Sequence, residues 1–76
     1  MNININEFLK QFNKEYNFLY EHEPVAGQDE ATAEFDKLIY DKKFSKFVGE
    51  FAKFRGDFIS SDREAAAFMF ALYELS

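Results

Sequence analysis

The sequence predicts an all-α protein, a small three- or four-helix bundle with a Phe-rich core. Three observations carry this. Apolar residues recur with the helical period over most of the 76 residues, no strand-like alternation runs long enough for a sheet, and eleven phenylalanines supply rings to fill an interior. A chain this short buries a modest share of its unfolded surface and needs unusually good packing or a supplement. With no Cys, a disulfide or thiolate metal site cannot provide one, so ring packing or self-association is expected.

The first helix is expected over 5–21, where Ile5, Phe8, Leu9, Phe12, Tyr16, Leu19 and Tyr20 follow the i, i+3, i+4, i+7 template. Asn4 with Glu7 three residues later has the form of a capping box at its start, and Phe18 falls off the stripe. Residues 22–28, HEPVAGQ, hold the single Pro and the first Gly, and read as a loop.

Asp29 and Glu30 favour a second helix start through the helix dipole, and Ala31, Phe35, Leu38 and Ile39 give it a buried stripe over 29–40. A third helix over 42–55 carries the most regular pattern in the chain. The segment FSKFVGEFAKFRGDF repeats a seven-residue unit, and Tyr40, Phe44, Phe47, Phe51, Phe54 and Phe58 fall at alternating steps of four and three, along one helical stripe. This stripe is expected to face the core. It is out of phase with Phe35, so the chain must break or bend near Asp41, which is placed to cap the third helix as Gly56 is placed to end it. One bent helix over 29–55 is the competing reading.

Ser61 with Glu64 forms a second capping box, and a last helix is expected over 61–75. Residues 65–73 are apolar or aromatic without exception, so this helix belongs at the centre of the bundle or in an oligomer interface. Nine apolar residues are far fewer than the roughly 20 that span a bilayer. No membrane span is expected, and the opening MNININEF has no secretory pattern, so a cytoplasmic location is the expectation. The abundance of Phe, Asn, Lys, Ile and Tyr suits an AT-rich bacterial or phage gene.

Charge is divided along the chain, whose net charge is −5. Nine acids face three lysines over 1–41, whereas five bases face two acids over 42–58. An acidic body with one basic aromatic segment offers two electrostatically distinct surfaces. Catalytic groups are sparse: one His, no Cys, no Gly-rich phosphate loop and no nucleophile elbow, so neither an enzyme nor a cofactor is expected. His22 between Glu21 and Glu23 is too thin a set for a metal, and the carboxylates of 29–41 lack the spacing and central Gly of a calcium loop.

The expected function is therefore non-enzymatic: a small acidic helical module that binds another protein, as an inhibitor or regulator docking its acidic surface onto a basic, nucleic-acid-handling partner. Asp29, Glu30, Glu34, Asp36 and Asp41 are the candidate docking residues, against the plainer reading of a solvated outer face. A secondary contact face is expected at Lys42, Lys46, Gly49 and Lys53, and homodimerisation is a further expectation. Gly49 stands in a helix interior, where Gly costs about 1 kcal/mol relative to Ala, so a close backbone approach is one reason for it. The alternative function is a nucleic-acid-binding regulator using the Phe-rich helix with Lys42, Lys43, Lys46, Lys53 and Arg55, which the net negative charge opposes.

Overall fold

A computed structural model of the chain describes residues 2–76 and places among them four helices and no strand. These are α1 (Ile5–His22), α2 (Gln28–Leu38), α3 (Lys42–Arg55) and α4 (Asp62–Leu75). Three of the four starts are written by the preceding residue, while α2 follows Gly27, which offers no side chain to cap it. Asn4 Oδ1 accepts from the backbone N–H groups of Asn6 and Glu7 at 2.9 and 3.1 Å, and Asp41 Oδ1 accepts from those of Lys43 and Phe44 at the same distances. Such caps satisfy donors that the helix leaves without partners, each contributing about 1 kcal/mol.

At α4 the Ser61–Glu64 cap bonds in both directions, with the return from Glu64 reaching the backbone one residue before the cap, at Ser60. Ser61 Oγ accepts from the Glu64 N–H at 3.2 Å, and the Glu64 carboxylate accepts from the Ser61 hydroxyl and from the Ser60 N–H and hydroxyl. α3 ends where Gly56 takes a left-handed φ of 85°, letting its N–H and that of Asp57 both reach the Ala52 carbonyl at 2.8 and 3.1 Å. Residues 29–55 are thus two helices rather than one bent helix. The interruption at 39–41 answers the phase break between Phe35 and Phe44.

Four limits differ from expectation: α2 begins at Gln28 rather than 29, α4 begins at Asp62 with Ser61 as its cap, and two ends also move. α1 runs one residue further than 21, to His22, whose Nδ1–H donates to the Phe18 carbonyl at 3.0 Å while its ring stacks on that of Phe18. α2 stops at Leu38 instead of 40, and the Asp41 N–H turns back to the Leu38 carbonyl. The Glu23–Pro24 peptide between α1 and α2 is cis.

α4 is the central helix, packed on α1 and α2, while α3 lies against α1. An unbroken buried run from Glu64 to Met69 follows from that position, because helices cover it on more than one side. Phe68 is the hub of the core. Its ring lies 4.7 to 5.8 Å from those of Phe8, Phe35, Phe44, Phe47 and Phe51, mostly edge-to-face, so residues of all four helices meet at one side chain. Edge-on contacts place the positive ring rim against a negative face and add about 0.5–1.5 kcal/mol per pair beyond area burial.

The aromatic heptad divides. Phe44, Phe47 and Phe51 are buried, whereas Tyr40 is 88% exposed, Phe54 46% and Phe58 75%. The expectation of one continuous core stripe is corrected here for two physical reasons. Tyr40 and Phe58 lie outside α3, in the turns before and after it, where helical period no longer sets direction. Phe54 lies inside, but a 3.5-residue repeat drifts about 20° per heptad around a straight helix and carries it to the edge of the buried face. Tyr20, expected on the α1 stripe, is exposed as well, and the Arg63 guanidinium covers its ring at 5.0 Å.

Candidate functional site

The acidic surface is built on the outer side of α2. Ala31, Phe35 and half-buried Leu38 face α4 and the core, so helical geometry turns Asp29, Glu30, Glu34 and Asp36 outward, and all four are exposed. Lys37 is the one cation of that helix. None of the four carboxylates enters an ion pair among the described residues; the two pairs formed are Arg55–Glu64 and Arg63–Glu23. Glu30 and Glu34, four apart, repel one another by a few tenths of a kcal/mol.

Two members have additional local roles. Asp41 is exposed, but its Oδ1 is committed to capping α3. Glu34 accepts a hydrogen bond from the Tyr73 hydroxyl, which ties the outer side of α2 to the end of α4. Partial burial, with the Glu34 carboxylate adding to it, pushes the Tyr73 hydroxyl up to about 12, since both oppose a phenolate there. Exposed Tyr40 stands just past the C-terminal end of the same helix.

The secondary face lies on the outside of α3. Lys42, Lys46 and Lys53 are exposed and Gly49 is half-buried among them. A Cβ built on Gly49 would meet nothing within 4 Å among the described residues, so none of them makes the close backbone approach that the glycine suggested. Beside it runs an open, largely apolar groove lined by Gly49, Ala52, Gly56 and Phe58, with Lys53 and Asp57 at its edges.

Arg55, counted from the sequence in the basic face, turns inward. Its guanidinium pairs with buried Glu64 and lies 5.0 Å over the Phe12 ring. Burial alone pushes the Glu64 carboxyl up, but the hydrogen bonds from Arg55 and from Ser60 outweigh it and hold the group below the usual carboxylate range. The pair therefore clamps the end of α3 to the start of α4. Sequence reasoning missed this link because nothing in the local pattern relates positions 55 and 64 beyond the cap that Glu64 completes. On the opposite flank Arg63 Nε donates to Glu23 at 2.9 Å, and Gln28 Nε2 donates to the other Glu23 oxygen, closing the α1–α2 loop.

No group of three or more His, Cys, Asp or Glu side chains is arranged to hold a metal ion among the described residues. No helix among them is long and apolar enough to cross a membrane. Fold and surfaces together define a small helical bundle with an acidic outer helix and, on another helix, a basic face beside an apolar groove. Comparison with protein-family models, curated protein sequences and solved structures finds no match to the chain.

Proposed function

We propose that the chain is a non-enzymatic cytoplasmic binding module whose α2 face docks onto a basic surface of another protein, inhibiting or regulating a partner that handles nucleic acid. The observation that carries this reading is the set of outward carboxylates at Asp29, Glu30, Glu34 and Asp36, none of them in an ion pair among the described residues. Their uncompensated field would steer a cationic groove and set its orientation. Tyr40 at the end of the helix adds an exposed ring of the type enriched at interfaces. Asp41 contributes charge at the same end while serving as a cap.

The test compares the natural chain with a variant carrying Asp29→Asn, Glu30→Gln, Glu34→Gln and Asp36→Asn in quantitative affinity capture, with added duplex DNA as competitor. Proteins with basic nucleic-acid grooves should be retained by the natural chain, lost from the variant and displaced by DNA. Equal capture by both chains would remove α2 from the interface. All four positions are exposed, so the variant is expected to keep its fold.

A second reading, a nucleic-acid-binding regulator, draws support from Phe54 and Phe58, exposed rings beside Lys53 on which bases could stack. Titration of labelled single-stranded DNA and RNA at low salt decides it, because phosphate contacts are strongest there.

A further inference from the structure

The outer side of α3 and the turn after it carry four charges in the order Lys46, Glu50, Lys53, Asp57, spaced by four, three and four residues. Both the spacing and the signs have a consequence under reversal. The spacing reads the same from either end, while the charges read plus, minus, plus, minus one way and minus, plus, minus, plus the other. Two copies of this surface laid antiparallel about a two-fold axis therefore bring every charge against its opposite: Lys46 against Asp57 of the second copy, and Glu50 against its Lys53. A parallel arrangement would instead stack like on like.

These side chains are available for such pairing. All four residues are exposed, and none takes part in an ion pair within the chain among the described residues. The groove of Gly49, Ala52, Gly56 and Phe58 runs along one flank of the charge ladder. An isologous two-fold contact sets each patch against its own image, so groove meets groove and ladder meets ladder. The 75% exposed Phe58 ring then gains apolar cover, and the open space beside Gly49 lets the two backbones approach without a Cβ between them.

The geometry points to a second copy of this chain as the occupant of the α3 groove, in an antiparallel dimer registered by the Lys46–Asp57 and Glu50–Lys53 pairs. The 14-residue helix presents a contact smaller than the roughly 800 Å² per partner of a standard interface, so the dimer is a weak, concentration-dependent one. It uses α3 and leaves the acidic α2 face open, so its test is independent of the function proposed above.

Sedimentation velocity from about 10 µM to about 1 mM spans the range in which an interface of this size associates. The natural chain should shift from monomer to dimer across that range. Lys53→Glu places a like charge against Glu50 twice in each dimer, and should weaken association about tenfold or more. Adding Glu50→Lys to it gives plus, plus, minus, minus along the ladder, which is again complementary on reversal and should restore the dimer. Phe58→Ser should weaken association while leaving thermal unfolding unchanged, a readout that separates interface from fold. A monomer throughout, a dimer indifferent to Lys53→Glu, or failure of the double exchange to restore association in a chain that keeps its helical circular dichroism would each overturn the proposal.

Discussion

Phe51 and Phe58 occupy equivalent places in the heptad repeat, seven residues apart, yet truncating them should have opposite consequences. Phe51 is fully buried, with its ring 4.9 to 5.4 Å from those of Phe8, Phe12 and Phe68, whereas Phe58 is 75% exposed beyond the end of α3. Phe51→Ala removes a ring from a close-packed site and leaves a cavity, which costs about 3–5 kcal/mol. A chain of 76 residues has a total stability of about 4–11 kcal/mol by the usual per-residue range. The substitution thus takes away about a quarter or more of the whole, and at the lower end of that range the larger cost exceeds the total.

Phe51→Leu keeps part of the volume and should cost about 2 kcal/mol, which for a domain this size lowers Tm by about 8–16 °C. Phe58→Leu should change stability by less than about 0.5 kcal/mol. Urea unfolding followed by far-ultraviolet circular dichroism, run at micromolar protein, measures both. Equal losses at the two positions would refute the division of the heptad into core and surface.

Gly49→Ala should raise the stability of the monomer by about 1 kcal/mol, or about 4–8 °C in Tm, because within the chain the added methyl meets nothing and Ala is the better helix former; a fall in thermal unfolding at low-micromolar protein, where the chain is monomeric, would refute this. Glu64→Gln should cost about 2 kcal/mol by taking the charge partner from the largely buried Arg55 guanidinium. It should also flatten the acid limb of stability. The folded carboxyl titrates below its unfolded value, so its contribution is present above about pH 4.5 and is lost as pH falls through the folded pKa, a segment absent from the Gln variant's pH series. In an alkaline titration followed by tyrosinate absorbance, one ring should ionise near pH 12, and Tyr73→Phe should remove that step; its unchanged presence would assign it elsewhere.

Much of this molecule is legible in the residues. The stripe of α1, the caps at Asn4, Asp41 and Ser61 and the stop at Gly56 are each spelled by neighbours within four positions, which is the reach of helical hydrogen bonding. The acidic face was legible for the same reason, since the residues that must be buried on α2 dictate which ones cannot be. Gly49 was not legible in this way, because a glycine signals either close contact or mere tolerance, and its surroundings within the described residues show only open space.

What the sequence determined by itself is therefore local: where helices form, most of their ends and the main buried side of each, with 29–55 left open between one bent helix and two. Tertiary structure alone decided which aromatics of a uniform repeat became interior, by setting Phe68 where three of them converge. It also turned Arg55 out of the basic face and onto Glu64, nine residues away. Periodicity specifies direction around a helix axis. Which direction meets protein and which meets water depends on where the other helices lie, and that is settled only when they pack.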